Sequence, residues 1–241
     1  QKKIVFSHAN EPTFNSRYIS GDISVVNIST KTVKDLVDSD GRDSSPIFSA
    51  DGKRIAFISD GQKHEPIGLG DIYIVATNGG RPIKLGETPN RSASIIKWSS
   101  DDNYIYASDA NKTKSEIYKI SIQGNDLKPL LNLNSRVSSP SITDDGKRIV
   151  FVKQELDKPS EVYVSKLERI LPQKITSFNS ELELPALAKT ELISWKSKDG
   201  LEIEGFLTYP ANYKKRKKYP LALIIHGGPS GVFSQSYTGN P

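Results

Sequence analysis

The ten residues Phe48-Ser-Ala-Asp-Gly-Lys-Arg-Ile-Ala-Phe57 decide the fold of this 241-residue chain, because the same pattern returns twice. It recurs 50 residues later as Trp98-Ser-Ser-Asp-Asp-Asn-Tyr-Ile-Tyr-Ala107, and 44 residues after that as Ile142-Thr-Asp-Asp-Gly-Lys-Arg-Ile-Val-Phe151. Lys2-Lys-Ile-Val-Phe6 matches only the second half of the unit. A repeat of about 45 residues is typical of architectures in which one small unit stacks against its copies.

Each copy is followed by a second short segment in which apolar and polar residues alternate. Such alternation over a few positions predicts a half-buried β-strand. The Asp-Gly pairs at 51–52 and 145–146 supply residues that tolerate the backbone of a tight hairpin turn. The alternating segments are Asp22–Val26, Asp71–Val75, Glu116–Ile120 and Glu161–Ser165, and third short segments such as Pro82–Leu85 and Lys174–Thr176 close the units.

The unit is therefore predicted to be a four-stranded antiparallel meander. Such a sheet cannot bury both of its faces alone, so its copies must stack around an axis. We predict an all-β propeller of four-stranded blades over residues 1–179. Because the chain begins inside a blade, we expect an incomplete ring over these residues. A β-sandwich with turns at coincidental positions is the alternative.

Charge and composition exclude several functional classes. The net charge is +5, but five of the positive charges lie in Lys214–Lys218, so we expect no basic face for nucleic acid. The longest apolar run, Leu221–Ile225, is too short to cross a membrane. The chain has no cysteine, which excludes disulfides and cysteine-bound metal. Asp38-Ser-Asp-Gly-Arg-Asp43 is similar to a calcium loop, but its glycine stands fourth rather than sixth, and a turn is predicted.

After about Asn179 the repeat stops, and we assign residues 180–241 to a second unit. Its last apolar run has the composition of a strand buried on both faces, as in a mostly parallel sheet. The expected elements are a linker at Leu182–Lys189, a hairpin formed by Glu191–Trp195 and Leu201–Tyr209, and a buried strand at Tyr219–Ile225.

The last apolar run leads directly into His226-Gly-Gly-Pro229. A strand that ends in His-Gly-Gly is typical of the oxyanion hole of α/β-hydrolases. Backbone N–H groups must approach the developing negative charge there with no side chains in the way. Because Pro229 has no N–H, we expect Gly227 or Gly228 to be the donor and His226 to shape the turn. A plain turn after a strand is the alternative.

Residues 45–57, Ser-Pro-Ile-Phe-Ser-Ala-Asp-Gly-Lys-Arg-Ile-Ala-Phe, resemble the blade repeat of TolB-like propellers. With Trp195–Gly205, Tyr209-Pro210 and His226–Phe233 after them, the order resembles the prolyl oligopeptidase family of serine peptidases, in particular its acylaminoacyl-peptidase-like branch. The resemblance implies that the propeller caps an α/β-hydrolase domain and admits only short or unfolded peptides. It also implies a peptide substrate that is cleaved through an acyl-enzyme.

The triad of that family is absent from this sequence. Its serine lies in a Gly-x-Ser-x-Gly elbow, followed by Asp and then His. No such elbow occurs, and Ser230 lies in Gly-Pro-Ser-Gly. We interpret His8 and His64 as ordinary polar positions of the repeats, and His226 precedes the place of the nucleophile, so by chain order it is not the base. Gln1 and the absence of methionine fit a processed chain or a fragment, and we expect it to be inactive by itself.

The alternative function is a binding module. In that case the propeller would engage protein partners through its loops, and residues 180–241 would be a decayed or unrelated extension. Neither reading calls for a cofactor or a metal, and neither nucleic acid nor a membrane is an expected partner. Unpaired strand edges of an incomplete ring make self-association into a homo-oligomer an option. The sequence leaves the compartment and the substrate's side-chain preference open.

Overall fold

The computed structural model describes residues 2–9, 11–13, 15–61, 69–124, 126–181, 188–228 and 230–237. In these ranges it contains seventeen β-strands and one single-turn helix, α1 (Ser16–Ile19). The chain is therefore nearly all β, as predicted. None of the described helical residues forms a segment long and apolar enough to span a membrane.

Four antiparallel sheets follow one another along the chain, and in each of them the strands pair in chain order. The first sheet has three strands within the described residues and the next three have four, which confirms the four-stranded blade; the described sheets form no closed ring. The strands are β1 (Lys3–His8), β2 (Asp22–Asn27) and β3 (Val33–Val37); β4 (Asp43–Phe48), β5 (Arg54–Ser59), β6 (Asp71–Ala76) and β7 (Ile83–Lys84); β8 (Ser94–Trp98), β9 (Tyr104–Asn111), β10 (Lys114–Ser121) and β11 (Leu127–Leu133); and β12 (Arg136–Ile142), β13 (Arg148–Glu155), β14 (Lys158–Lys166) and β15 (Gln173–Lys174).

The turn that follows the first strand of each four-stranded blade is closed by one recurring side-chain contact. Ser49 Oγ donates a hydrogen bond to the Asp51 carboxylate at 2.7 Å, and Gly52 follows in the left-handed conformation at φ 69°. In the third sheet Asp102 takes the place of that glycine, at φ 56°. The corresponding hydroxyl–carboxylate pairs are Ser99–Asp101 and Thr143–Asp145.

The hydrophobic core lies between neighbouring blades. Ile55 and Phe57 of β5 pack with residues of the first sheet, whereas Ala56 and Ile58 of the same strand pack with residues of the third. A further cluster, which includes Ile149, joins the third and fourth sheets. Because the second strand of a blade is buried on both faces, it is apolar at successive positions rather than at alternate ones.

A buried carboxylate also joins the second and third sheets. Asp102 is 6% exposed, and its carboxylate accepts hydrogen bonds from the backbone N–H groups of Ala50 at 2.7 Å and Asp51 at 2.8 Å. In return, Arg54 Nη2 donates to the backbone oxygen of Asp102 at 3.2 Å. The residue that stands in place of a turn glycine therefore clamps the turn of the preceding blade.

Two substitutions of Asp102 separate the clamp from the backbone strain. Asp102→Ala should lower the free energy of unfolding by about 2–4 kcal/mol, because two hydrogen bonds to a charged acceptor are lost. Asp102→Gly loses the same bonds but relieves about 1 kcal/mol of left-handed strain. We expect the order of stability Asp, then Gly, then Ala in denaturant unfolding. Equal stability of the three proteins would contradict the clamp.

The turn carboxylates should also make the fold sensitive to acid. The Ser99 hydroxyl and the side chain and backbone N–H of Asn103 lower the pKa of Asp101 to about 2. Since the pKa in the unfolded chain is about 4, this stabilisation is complete above about pH 4 and is lost as the pH falls towards 2. An NMR titration of Asp101 should show the low pKa, and Ser99→Ala should raise it. A pKa that does not respond to the substitution would refute this account.

The residues after the fourth sheet form one hairpin, as predicted. Strand β16 (Thr190–Lys196) pairs with β17 (Glu202–Thr208), and Gly200 in the turn has φ 88°. The prediction of a buried strand at Tyr219–Ile225 is wrong: these residues pair with no described strand, and Leu221 is 82% exposed. A strand needs a neighbour for its backbone hydrogen bonds, which an apolar composition cannot supply. His64, Pro229 and residues 182–187 of the expected linker lie outside the described ranges.

Candidate functional site

His226, Gly227 and Gly228 form an exposed turn at the end of the apolar segment. His226 Nδ1 lies 3.2 Å from the backbone oxygen of Gly227. The imidazole also meets the ring of Phe233 edge to face, with the ring centroids 6.0 Å apart. The histidine therefore lies against its own turn.

Packing explains Gly228 and the nearby Gly231 but not Gly227. Gly228 has φ 139°, and a Cβ there would lie 2.6 Å from the backbone nitrogen of Gly231. A Cβ on Gly231 would lie 2.2 Å from the backbone oxygen of Gly227. A Cβ on Gly227, by contrast, would meet nothing within 4 Å. The described residues therefore leave room for a side chain at position 227, so their packing does not explain why this residue is a glycine.

The backbone N–H groups of Gly227 and Gly228 donate to no backbone oxygen of the described residues. An N–H group without a partner in a solvent-exposed turn can donate to a bound oxygen atom. An oxyanion hole requires donors at about 3 Å from the oxygen that gains charge. The turn is therefore chemically suited to supply one such donor.

Contacts at the connection between β9 and β10 fix β17 and the end of the loop that carries the turn. Thr113 Oγ1 donates to the Glu204 carboxylate, which lies within β17, at 2.7 Å. Beyond the turn, Gln235 N donates to the backbone oxygen of Thr113 at 2.9 Å, and Arg136 N donates to the backbone oxygen of Gln235 at 3.0 Å. Loop 209–234 therefore ends beside Thr113, on the third and fourth blades.

Sequence reasoning missed these anchoring residues. Thr113 is 4% exposed and Gln235 is 6% exposed, although both are polar. Their contacts span 91 and 122 residues of sequence, so no local pattern connects them. The structure alone shows that Lys112, next to Thr113, is left-handed (φ 55°) in a tight turn between two strands.

The other candidate residues lie elsewhere. His8 ends β1, and its Nε2 lies 2.8 Å from Ser24 Oγ, which donates to Asp35. This histidine makes its contact within the first sheet. Nowhere in the described ranges do three or more His, Asp or Glu side chains form a group that could hold a metal ion.

Over most of its length the chain is similar to curated peptidases. Dipeptidyl-peptidase 5 of Trichophyton equinum is 26% identical over 203 residues, which are 83% of this chain and 28% of that protein. Dipeptidyl-peptidase 5 of Arthroderma otae is 24% identical over the same shares. The chain thus spans 28% of the length of these curated relatives. No family model matches the sequence.

Solved structures show the same blades. TolB from Acinetobacter baumannii has a TM-score of 0.56 at 17% identity and covers 86% of this chain and 49% of its own. A prolyl endopeptidase has a TM-score of 0.57 at 13% identity, over 83% of this chain and 29% of its own. An oligogalacturonate lyase in complex with manganese has a TM-score of 0.60 at 13% identity and covers 87% of this chain and 63% of its own. At these identities the likeness shows the fold.

The described residues form the blades of a TolB-like propeller, and the sequence is similar to those of dipeptidyl-peptidases. The fold and the family resemblance predicted from the repeat are confirmed, and the propeller is related to those of peptidases.

In this TolB-like propeller the anchor at Thr113 can be tested directly. Thr113→Val removes a hydrogen bond to the Glu204 carboxylate of β17, which contributes about 1.5 kcal/mol or more, so amide exchange in the β16–β17 hairpin should become about tenfold faster. The exposed Thr30 provides the control variant Thr30→Val, which should leave that hairpin unchanged. Hydrogen exchange followed by mass spectrometry measures both. Unaltered exchange of the hairpin in Thr113→Val would show that it is held by other contacts.

Proposed function

We propose that the chain is part of a serine peptidase. Residues 1–179 would be its propeller, and residues 180–241 the linker and first part of its α/β-hydrolase domain. The observation that carries this proposal is the similarity of 83% of the chain to dipeptidyl-peptidase 5. A His-Gly-Gly turn follows the propeller at the place where a hydrolase would supply an oxyanion donor.

The chemistry assigned to the turn is stabilisation of charge during acyl transfer. When a serine oxygen adds to the peptide carbonyl carbon, the carbonyl oxygen becomes negatively charged. The N–H of Gly227 or Gly228 would donate to that oxygen, and a second donor comes from the residue after the nucleophile in hydrolases of this type. His226 lies beside the Gly227 carbonyl and positions the turn, and it takes no part in proton transfer.

The propeller would act as a cap over this site. The end of loop 209–234, which carries the turn, is attached to the third and fourth blades through Gln235, whose backbone bonds to Thr113 and Arg136. A peptide that reaches the turn would therefore pass close to the blades, which favours short or unfolded chains. The partner we propose is such a peptide.

The test uses the natural full-length protein, which we expect to react with a fluorophosphonate probe and to hydrolyse peptide nitroanilides. Gly227→Val should lower kcat/KM by about a hundredfold, because the added side chain blocks one donor of the oxyanion hole. Among the described residues a Cβ at Gly227 meets nothing within 4 Å, so the melting temperature is measured beside the activity to separate loss of the donor from loss of folding. Lys215→Val, an exposed substitution in the same loop, is the matched control.

Two outcomes would count against the proposal. Failure of the full-length protein to react with the probe would favour a binding propeller without catalysis. Full activity of Gly227→Val would remove the turn from the site even if the protein is a peptidase. Residues 1–241 alone serve as the negative control, because their sequence contains no Gly-x-Ser-x-Gly.

A further inference from the structure

At each junction between neighbouring described blades, a cation of the earlier blade donates a hydrogen bond to a backbone oxygen of the later blade. The three pairs are Lys34 Nζ with Asn78 O at 2.7 Å, Arg54 Nη2 with Asp102 O at 3.2 Å, and Lys97 Nζ with Ile142 O at 3.4 Å. The Arg54 guanidinium also lies over the Trp98 ring of the later blade, 5.5 Å from the ring centroid. A cation that reaches the next blade is therefore a regular part of a blade junction.

Arg148 has the position in the fourth blade that Arg54 has in the second, because each follows the Asp-Gly turn of its repeat copy at the same distance. Arg148 is exposed, and among the described residues its side chain has neither a hydrogen-bond partner nor an ion-pair partner. The pKa of the nearby Asp145 is lowered chiefly by the Thr143 hydroxyl, and the charge of Arg148 contributes less. Arg148 is thus a junction cation with no later blade among the described residues.

Two further cations lie beside Arg148. Lys166 is directly opposite it in the β13–β14 pair, where the second blade has Ala76 opposite Arg54. Like charges at facing positions of a sheet destabilise it. With Arg169 and four uncharged residues, these two cations line a cavity of about 370 Å³, and none of its described lining residues is acidic. The fourth blade therefore carries a concentration of positive charge that its own fold does not compensate.

Four valines continue the face on which Arg148 and Lys166 lie. They form the facing pairs Val150–Val164 and Val152–Val162, and all four are partly exposed. The corresponding pairs of the second blade are Ala56–Ile74 and Ile58–Ile72, which are at most 7% exposed because the third blade packs on them. We call the four valines with Arg148, Lys166 and Arg169 the forward face of the fourth blade. It has the design of a junction, but no described blade lies against it.

We propose that the forward face seats a further blade of the natural polypeptide, and that this blade carries acidic side chains opposite Arg148, Lys166 and Arg169. The apolar part of the face continues the packing of the second and third blades. The chain spans 28% of the length of a curated relative, so a longer polypeptide has residues for such a blade. Acidic partners would turn the repulsion between the facing cations into attraction and would distinguish this junction from the others.

The inference requires that the natural polypeptide is longer than this chain, but not that it is a peptidase. Its tests measure burial and stability, whereas the proposed activity is tested with the fluorophosphonate probe. Failure of one proposal is therefore distinguishable from failure of the other.

Cysteine labelling of the natural full-length protein tests whether the forward face is covered. Val150→Cys should react with a maleimide at least about tenfold more slowly than Asp157→Cys, an exposed position on the β13–β14 turn, because labelling of a covered residue requires the blades to separate. Peptide mass spectrometry reads each site separately. A smaller difference would overturn the proposal, and so would protection at position 150 that is lost on dilution, since a second copy would then cover the face.

Substitutions of Lys166 test the charge of the covering blade by the sign of their effect. Against an acidic blade, Lys166→Glu brings like charges together, so the melting temperature of the full-length protein should fall by several degrees. Lys166→Ala, which installs the residue of the second blade, should lower it less. On an open face the new carboxylate would instead pair with Arg148 across the strands, and the melting temperature would rise.

Lys147→Glu is the matched control, because Lys147 is exposed in the adjoining turn and is not among the residues that line the cavity. It should change the melting temperature less than Lys166→Glu does. A higher or unchanged melting temperature in Lys166→Glu would overturn the acidic blade, as would an equal fall in the control.

Discussion

Burial of both faces of each blade is the constraint on which the rest of this structure depends. In β5, Ile55 and Phe57 pack against the preceding sheet, while Ala56 and Ile58 pack against the following one. A sheet with two apolar faces has no surface that water stabilises, so a blade gains little by folding alone. Its strands become stable only as the neighbouring blades cover them, and the four sheets form one stack for that reason.

Apolar packing holds the blades together, but it is not directional, and polar contacts set their register. The Asp102 carboxylate accepts a hydrogen bond from the backbone of the turn in the preceding blade, and Trp98 Nε1 donates to the Ile47 oxygen of that blade at 3.3 Å. Such bonds hold the blades in fixed positions, because the strength of a hydrogen bond falls steeply as its length and angle depart from the ideal values. The same kind of contact fixes the end of the loop that carries the His-Gly-Gly turn, because Gln235 N donates to the Thr113 oxygen and Arg136 N donates to the Gln235 oxygen. The positions of the third and fourth blades therefore also determine where that loop ends.

Structural features that depend on neighbouring residues could be predicted from the sequence, whereas features that depend on a partner far away along the chain could not. Alternation and Asp-Gly turns are local, so the strands and their order were predictable. The turn at His226–Gly228 consists of consecutive residues and was predictable for the same reason. The acceptor role of Asp102 depends on a turn 51 residues away, and Thr113 depends on Glu204, which is 91 residues away. The strand expected at Tyr219–Ile225 was wrong because composition shows that a segment is apolar, not that a partner strand lies beside it.

Repetition provides an internal standard by which functional residues can be recognised. Where stacking determines a position, its residue type is explained by packing, as it is for Ile55 or for Gly228 in its turn. Gly227 differs from these residues, because it lacks a side chain although the described residues leave space for one. Since packing does not explain this glycine, the oxyanion donor that we propose for the turn is the reason we give for it.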